Sequence, residues 1–326
     1  MDRKDLRSGN VLLLRNLLKS LRQATKPQLA KASGLSVVTV NAIMKILVES
    51  GEAEAKETAP STGGRKALIY VFRKNRRLSL AAHTSIGSDE EKTKLMITVD
   101  NVFAENIHSD EVELDTLAPS AFIETLQPFI KEYPQIPLLM IGMDGKTAQA
   151  ALDAPECRDM PFDRQLTAKL ARPVKIISET EAAAANAEHL FGKPIADGTV
   201  VAVHWPNLTP PTASIMIGGK PFRGRDGIAG EIGKRFFGST YHKPLDIVRE
   251  AARIVVTLTR VLNPHGIVLY GEEFTDDIAA YITERALREI PEKYLPNFAV
   301  RQSIAEDYAL GMKILAGKYL TALDEE

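Results

Sequence analysis

The sequence predicts an α/β chain in which a small basic head, residues 1–75, precedes a two-lobed body, residues 76–326. Helical periodicity dominates residues 10–51, whereas from residue 78 strand-like runs come in threes and are followed by alternating strand and helix, twice. Charge divides in the same place. Residues 1–78 hold 16 Lys and Arg against 6 Asp and Glu, while the whole chain has a net charge of −1. A basic head on an acidic body favours a polyanionic partner, with a chance imbalance of solvated surface as the alternative.

Length and composition restrict the class of protein. The chain has 326 residues, enough for two or three domains with sizeable cores. Its apolar runs are shorter than the roughly 20 residues that span a bilayer, and residues 1–10 lack an apolar signal core. These features favour a cytoplasmic protein without a membrane partner. Cys157 is the single cysteine, so neither a disulfide nor a cysteine metal cluster is expected, and no cofactor is predicted.

Residues 25–47 of the head predict a helix, a tight turn and a second helix. Pro27 fits the first turn of a helix, where its missing N–H costs nothing. Gly34 supplies the turn, and Ser36 is predicted to cap the second helix by accepting a backbone hydrogen bond. One buried stripe on the second helix is formed by Val40, Ile43 and Leu47.

The opposite face of this second helix is small and mostly uncharged, which suits insertion into a DNA major groove. Val37 and Val38 can contact thymine methyl groups, Asn41 can read adenine, and Lys45 meets a phosphate. The candidate DNA-binding residues of this helix are Ser36, Val37, Val38, Thr39, Asn41 and Lys45. The alternative is a helical hairpin packed inside a larger fold.

Two further elements complete the predicted head. Residues 10–23 predict an amphipathic first helix with an apolar stripe of Val11, Leu14, Leu17, Leu18 and Leu21. After Gly51, a C-cap candidate, residues 52–59 and 67–72 are typical of two strands around a Pro/Gly turn. Beside a helix-turn-helix such a hairpin predicts a wing, with Arg65 and Lys66 at its tip as DNA-binding residues. The alternative is a solvated turn.

The body is predicted to have one lobe at about residues 76–180, joined by the C-terminal helix, and a second lobe at about residues 181–300. Strands are predicted at residues 78–87, 92–100, 101–114, 137–142, 174–177, 199–204, 213–218 and 266–270. Helices are predicted at residues 121–133, 166–170, 179–190, 244–262, 276–289 and 305–323. This order of strands and helices predicts two α/β lobes.

Several blocks of sequence resemble the ROK family of repressors and sugar kinases. In the head, LRSGNVLLLRNLL, QLAKASGLSVVTVNAIMKILVESG and STGGRK have the order and spacing of the family's winged-helix repressors. In the body, IGGKPFRGRDGIAGEIGK resembles the family signature, and LNPHGIVLYGE and ALGMKILAG resemble its later strand and closing helix. The resemblance spans nearly the whole chain. It implies a winged helix-turn-helix followed by a two-lobed actin-like ATPase (ribonuclease H-like) body.

The phosphate-binding and catalytic motifs of the family's kinases are altered in this chain. The place of their Asp-x-Gly-x-Thr loop reads LAAHTSIGSDEE, and the place of their second glycine-rich loop reads WPNLTPP, whose three prolines lack N–H donors. Thr180 stands at the position of the catalytic Asp, and a neutral hydroxyl cannot take a sugar proton near pH 7. The chain is therefore expected not to be an enzyme, with Glu179 or Glu181 left open as a displaced base.

The zinc ligands that the resemblance implies are also replaced. Lys234 stands where the family has the His of Gly-Glu-x-Gly-His, and the following RFFGSTYHKP contains no Cys. His242 alone cannot hold a structural zinc ion, which needs about four nitrogen or sulfur ligands. No metal site is therefore expected.

A ligand pocket is still implied by the resemblance, because Gly230, Glu231 and Gly233 match the signature in which the Glu contacts sugar hydroxyls. The candidate ligand-binding residues are Asp144, Glu179, Thr180, Gly230, Glu231, Gly233 and Lys234. Lys234, near Arg223, Arg225 and Arg235, favours an anionic ligand such as a sugar phosphate. The alternative is an ion pair between Glu231 and Lys234 in a pocket that binds nothing.

The expected function is a DNA-binding transcriptional regulator, a repressor of carbohydrate-related genes. It is expected to bind a palindromic operator in double-stranded DNA as a homodimer or tetramer. The body either senses a sugar or sugar phosphate and dimerises, or only dimerises. Two alternatives stay open: a sugar kinase with an appended DNA-binding head, and a dimeric scaffold whose head binds another protein.

Overall fold

Three β-sheets organise the chain. The structure, a computed structural model, describes residues 3–57, 68–86, 93–191, 198–207, 210–233 and 246–323. One sheet has three strands and belongs to the head, and the other two have five strands each and form the body.

The described part of the head contains three helices and three short strands. In chain order they are α1 (Arg3–Leu21), β1 (Gln23–Thr25), α2 (Lys26–Ser33), α3 (Val37–Glu49), β2 (Ala53–Glu57) and β3 (Leu68–Phe72). Strand β3 lies between β1 and β2 and pairs antiparallel with both. The predicted hairpin is confirmed as β2 and β3. Its predicted tip, with Arg65 and Lys66, lies outside the described residues.

Local sequence explains where α2 and α3 begin and end. Thr25 caps α2 in a capping box, and Pro27 lies in its first turn. Gly34 ends α2 with a φ of 71°, in the left-handed region that glycine adopts without strain. Ser36 caps α3 by accepting a hydrogen bond from the Thr39 N–H at 3.1 Å. The predicted helix, turn and helix are therefore confirmed, and the two helices are bent by 115°.

The head has its own apolar core between the helices and the sheet. The buried stripe of α3 is confirmed and comprises Val40, Ile43, Met44 and Leu47. In α1, Leu14 and Leu18 are fully buried. The prediction for Leu21 was wrong, because α1 ends at this residue and the chain turns away at Arg22, which has a φ of 62°. Leu21 is consequently exposed.

The two body sheets have the same topology. The first contains β4 (Leu78–Ile86), β5 (Thr93–Asn101), β6 (Asn106–Leu114), β7 (Leu139–Met143) and β8 (Val174–Ser178), in the order β6-β5-β4-β7-β8. The second contains β9 (Thr199–His204), β10 (Thr212–Ile217), β11 (Lys220–Phe222), β12 (Gly266–Tyr270) and β13 (Asn297–Arg301), in the order β11-β10-β9-β12-β13. In each, three antiparallel strands are followed by two parallel ones.

Seven helices accompany these sheets. They are α4 (Pro119–Glu132), α5 (Gly145–Leu152), α6 (Phe162–Leu170), α7 (Glu179–Leu190), α8 (Ile247–Leu262), α9 (Asp276–Leu287) and α10 (Ala305–Ala322) within the described ranges, with short 3-10 turns at Pro155–Arg158 and Glu292–Tyr294. No single helix in the described part of the chain is long and apolar enough to cross a membrane, although α2 and α3 pass that test when taken together.

Strands β1, β11 and β13, helix α5 and the two 3-10 turns were not predicted, and other elements differ from prediction. Helix α1 begins at Arg3 rather than residue 10, and α6 begins at Phe162 rather than residue 166. Strands β1, β11 and β13 and helix α5 are short, and their composition is mixed. Strand β6 begins at Asn106 rather than residue 101, because residues 102–105 form the turn that follows β5. Strand β8 was predicted to be buried, but it lies at the edge of its sheet, and only Ile177 among its residues is buried.

Helices α7 and α10 pack together between the two body sheets. Their shared core includes the alanines of α7 and residues from both sheets. A Cβ atom at Gly311 of α10 would lie 1.7 Å from the carbonyl oxygen of Ala182, so only glycine allows this close approach. Asp307 accepts hydrogen bonds from Asn186 of α7 and Tyr270 of β12, both at 2.7 Å. The two sheets are thus joined through a close-packed helix pair.

The head contacts the body through the turn between β5 and β6. Val102 and Phe103 pack against the head core, and the ring of Phe103 lies 6.0 Å from that of Phe72. The Arg22 guanidinium lies 4.6 Å from the centroid of the Phe103 ring. On α10, the Thr321 hydroxyl accepts a hydrogen bond from Lys19 at 3.0 Å. The head therefore meets both a hairpin of the first sheet and the helix that joins the lobes.

Glu105 in this turn is the polar centre of the contact. Its carboxylate accepts hydrogen bonds from Lys74 at 2.7 Å, from Asn101 at 3.0 Å and from Arg22 at 2.8 Å. These hydrogen bonds lower the pKa of Glu105 to about 2. The carboxylate is therefore charged at neutral pH, and it ties the two basic side chains of the head to the body.

Candidate functional site

The first candidate site is the outer face of α3, defined here as Val37, Val38, Asn41, Ala42 and Lys45. All five side chains are exposed, with Val37 at 56% and Val38 at 80% of their full accessible surface. The exposed and buried faces of α3 are therefore those predicted from the sequence. Val37 and Val38 together form a small exposed apolar patch on the head.

The polar residues of α3 make short-range contacts. The hydroxyls of Ser36 and Thr39 lie 2.9 Å apart, and Ser36 also caps the helix. Lys45 forms an ion pair with Glu49, one helical turn away, at 3.7 Å. The ammonium of Lys26 in α2 donates a hydrogen bond to the side-chain carbonyl oxygen of Asn41. The Lys45–Glu49 ion pair is solvent-exposed, and pairs of this kind contribute little stability.

The second candidate site is a cluster of polar side chains where the two lobes meet, called here the interlobe cleft and defined by Thr84, Asp144, Glu179, His204 and Tyr308. Strands β4, β7 and β8 are parallel neighbours, so their carboxyl ends lie at one edge of the sheet. Thr84 is near the end of β4, and Asp144 and Glu179 directly follow β7 and β8. His204 ends β9 of the other lobe, and Tyr308 belongs to α10. The structure thus brings together Asp144 and Glu179, which are 35 residues apart in sequence.

The side chains of the interlobe cleft bind one another. His204 Nδ1 and Glu179 Oε1 are 2.6 Å apart and join the two lobes, and both side chains are largely buried. Asp144 Oδ2 accepts hydrogen bonds from the hydroxyls of Thr147 at 2.5 Å and Thr84 at 3.4 Å. Asp144 Oδ1 accepts the N–H of Thr147 at 3.0 Å and so caps α5. Both predicted carboxylates are therefore engaged by partners within the protein.

Two aromatic side chains, His83 and Tyr308, pack against each other at this cluster. The rings of His83 and Tyr308 are 4.9 Å apart in an edge-to-face arrangement. Burial, followed by the negative charges of Glu179 and Asp144, raises the pKa of Tyr308 well above its ordinary value. Burial, with a smaller effect of Lys313, lowers the pKa of His83 to about 4. Both rings are therefore neutral at pH 7, and the carboxylates supply the negative charge of the cleft.

Thr180 and Glu181, which follow Glu179 in α7, are both buried. Glu181 forms a salt bridge with Arg223 at 2.7 Å, and Arg223 also donates to the carbonyl oxygen of Ile176 at 3.2 Å. Burial raises the pKa of Glu181, while the charge and hydrogen bonds of Arg223 lower it. Arg223 was predicted to attract an anionic ligand, but its charge is compensated by Glu181.

The predicted signature loop lies beyond β11. Glu231 is exposed, and no hydrogen bond joins its side chain to Asp144 or Glu179 among the contacts of the described chain. A Cβ atom at Gly230, whose φ is 100°, would lie 1.9 Å from the carbonyl oxygen of Ala213. At Gly233 it would lie 2.3 Å from Pro210. Close packing therefore accounts for both glycines.

Two predicted features of this loop lie partly or wholly beyond what the structure describes. Arg225, the other described arginine, forms an ion pair with Asp226 at 2.7 Å. Lys234, Arg235 and His242 lie within residues 234–245, outside the described ranges. Among the described residues, no group of three or more His, Cys, Asp or Glu side chains is placed to hold a metal ion.

A cavity of about 400 Å³ lies beside the edge strand β8. Its apolar wall includes Met143, Phe162 and Ile176, and Lys175 and Arg223 lie at its rim. None of the predicted ligand-binding residues lines it. The predicted residues instead belong to the interlobe cleft and to the signature loop.

Sequence reasoning missed Thr84, His204, Tyr308 and Lys26. A polar side chain at the carboxyl end of a buried strand is a recognised signal of a site in α/β sheets, and it would have found Thr84 and His204. Tyr308 lies in the first turn of α10, and Lys26 approaches Asn41 only because α2 and α3 fold back on each other. Neither has a comparable signal in the sequence.

Residues 86–240 match the ROK family model. The crystal structure of a ROK family transcriptional regulator, described as a homolog of the E. coli MLC protein, is similar over 97% of this chain and 98% of that chain, with a TM-score of 0.55 and 14% identity. A ROK hexokinase from Thermus thermophilus is similar over 76% of this chain and 100% of that chain, with a TM-score of 0.55 and 17% identity. No curated protein sequence is similar enough to this chain to count as a relative.

A third similar structure is a ROK family protein from Streptococcus pneumoniae TIGR4 in complex with sucrose. It covers 74% of this chain and 99% of its own, with a TM-score of 0.53 and 12% identity. At these identities the structural similarity establishes the fold alone, which a regulator and a hexokinase share. Residues 86–240 therefore match a ROK family domain, and the chain has the mixed α/β fold of ROK structures.

Proposed function

We propose that this protein is a DNA-binding transcriptional regulator, a repressor of carbohydrate-related genes with a non-catalytic ROK body. The observation that carries the proposal is the outer face of α3. This helix buries a complete apolar stripe and exposes Val37 and Val38 to solvent. It does so in a head where Lys and Arg outnumber Asp and Glu, 16 to 6 over residues 1–78.

The arrangement around α3 supports a winged helix-turn-helix. Helices α2 and α3 are bent by 115° around a short turn that contains Gly34, within the range of about 90–120° for this motif. The β2–β3 hairpin follows α3 directly in the chain, in the place of a wing. In such a head α3 is the recognition helix, and the hairpin tip with Arg65 and Lys66 contacts the backbone or the minor groove.

The interlobe cleft supports a body without kinase activity. A general base must be free to take a proton from a sugar hydroxyl. Glu179 is paired with His204, Glu181 is paired with Arg223, and Thr180 is a neutral buried hydroxyl. These pairings favour the regulator over the displaced-base alternative. The activity of the hexokinase with a similar fold belongs to that protein.

The described charges favour a neutral sugar as the effector over the sugar phosphate expected from Lys234. Asp144 and Glu179 bring negative charge to the interlobe cleft, and Arg223 is compensated by Glu181. A carboxylate accepts hydrogen bonds from sugar hydroxyls but repels a phosphate. Thermal-shift measurements with hexoses and with their phosphates test this preference. Stabilisation by the phosphates alone would contradict it.

Selection of bound sequences from random double-stranded DNA tests the regulator function. A homodimer presenting two α3 helices is expected to enrich an inverted repeat with half-sites about one helical turn apart. The Val37→Glu/Val38→Glu variant is expected to enrich nothing, because two carboxylates would face the phosphates. Leu152→Glu is the control, since Leu152 is 58% exposed on α5 in the body.

The enzyme alternative has its own test. The full chain is incubated with ATP and a panel of hexoses, and sugar phosphate is measured. Absence of turnover together with an enriched inverted repeat agrees with the proposal. Sustained sugar phosphorylation, or enrichment that the α3 variant retains, would overturn it.

A further inference from the structure

Asn41 on the outer face of α3 has a fixed amide orientation. The Lys26 ammonium donates a hydrogen bond to its side-chain carbonyl oxygen. An ammonium group has three donors and no acceptor, so it must face the oxygen of the amide rather than its nitrogen. The NH2 group of Asn41 therefore points away from Lys26 and remains available as a donor.

Lys26 is itself held in place from the other side. Its ammonium lies 5.2 Å from the centroid of the Tyr70 ring, a cation–π contact. Tyr70 belongs to β3 and is buried in the head core. Lys26 thus links the start of α2, the sheet and the outer face of α3. The fold of the head therefore holds the charge of Lys26 beside Asn41.

The engaged oxygen changes which base edge Asn41 matches. A free Asn reads adenine in two ways at once: its NH2 donates to N7, and its oxygen accepts from the N6 amino group. Lys26 takes one of the two lone pairs of the Asn41 oxygen and places a positive charge beside the amide. Guanine presents two acceptors, N7 and O6, on the same edge. Adenine would bring its N6 amino donor close to the Lys26 ammonium, and two donors that face each other cost free energy in a closed interface.

We infer that Lys26 makes Asn41 a guanine-reading residue, so that the Lys26–Asn41 pair sets one base of the recognised sequence. This inference rests on the proposed DNA-binding function and names the base edge that the same helix recognises. It replaces the adenine contact expected from Asn41 alone. The ammonium of Lys26 adds a positive charge next to the two guanine acceptors.

The test uses the full chain and the duplex that the wild type selects. Asn41→Ala first identifies the base pair whose identity ceases to matter. Affinity is then measured for the four duplexes that differ at this pair, with Lys26→Met and Lys31→Met as matched variants. Both remove one lysine of α2, and only Lys26 contacts Asn41 among the described contacts. Thermal unfolding confirms that each variant is folded.

The wild type is expected to prefer guanine to adenine at this position by about tenfold. Lys26→Met is expected to lose that preference or to turn it toward adenine. Lys31→Met is expected to weaken binding to all four duplexes alike, because it removes charge only. If Lys26→Met behaves as Lys31→Met does, Lys26 contacts phosphate only and this inference is overturned. If the wild type selects no sequence at all, the proposed function fails and the inference fails with it.

Discussion

The outer face of α3 and the interlobe cleft differ in how their polar groups are held. On α3, Lys45 pairs with Glu49, and their side chains are 77% and 64% exposed. In the cleft, Glu179 pairs with His204, and theirs are 15% and 17% exposed. An exposed pair is exchanged for a phosphate at little cost, whereas a buried pair must be replaced by equivalent hydrogen bonds. In the proposed regulator the head can therefore bind without rearrangement, and a ligand of the interlobe cleft must satisfy the groups that it separates.

The largest effect is expected from Gly311→Ala, which separates the two helices that carry Glu179 and Tyr308 of the interlobe cleft. Its Cβ would lie 1.7 Å from the carbonyl oxygen of Ala182, so α7 and α10 must move apart. We expect a loss of about 3 kcal/mol in the free energy of unfolding, measured with urea. Gly317→Ala in the same helix is the control, because no atom lies within 4 Å of its added Cβ. It should stabilise the protein by up to about 1 kcal/mol. Equal effects of the two substitutions would refute the close packing.

The second test concerns the neutral imidazole of His83, which packs against Tyr308 of the interlobe cleft. The pKa of His83 is lowered to about 4, from 6.5 in an unfolded chain. The unfolded state therefore binds a proton at higher pH than the folded state does. The associated stability is fully present above pH 6.5 and is lost as the pH falls to 4, by up to about 3 kcal/mol. His83→Gln should unfold with a weaker pH dependence between pH 7 and pH 4. A variant with the pH dependence of the wild type would contradict the buried neutral imidazole.

The third test concerns the outer face of α3. Lys45→Ala removes a cation whose ion pair with Glu49 is exposed, so thermal stability should not change. Affinity should fall about equally for all DNA sequences, and the slope of log K against log salt should decrease by about 1. Lys131→Ala, at an exposed position of α4 in the body, is the control. An unchanged salt slope for Lys45→Ala would remove this phosphate contact.

The smallest effect is expected where the two regions meet. Hydrogen bonds from Lys74, Asn101 and Arg22 keep the pKa of Glu105 at about 2. This contact is fully present above pH 4.5 and is lost as the pH falls toward 2. An NMR titration should show the carboxyl group of Glu105 titrating near 2. In Lys74→Met the pKa should rise toward its ordinary value, and no rise would show that Lys74 does not hold this carboxylate.

The outer face of α3 could be predicted from the sequence because its pattern is local. The buried stripe and the exposed face of α3 follow from helical periodicity, and Ser36 and Gly34 mark the helix ends. Eight of the ten described body strands were also predictable, because their apolar runs are bounded by turn residues, whereas β11 and β13 were missed. Short elements such as β1, with three residues, contain too few positions to show a period.

The interlobe cleft could not be predicted in the same way, because its contacts join distant parts of the chain. Thr84 and Asp144 are 60 residues apart, and Glu179 and His204 are 25 residues apart. Which strand ends meet depends on the order of strands in the sheets and on the packing of α7 against α10. The candidate residues Asp144, Glu179 and Thr180 were identified by family resemblance, and their partners were not.

The affinity of the full chain for its selected duplex tests the central claim most directly, with one variant in each region. Val38→Glu places a carboxylate on the outer face of α3, and Glu179→Gln alters the interlobe cleft while it keeps a hydrogen-bonding side chain. The account predicts that Val38→Glu weakens binding by about a hundredfold, while Glu179→Gln stays within about threefold of the wild type. A Val38→Glu variant that binds the duplex as tightly as the wild type would contradict the account.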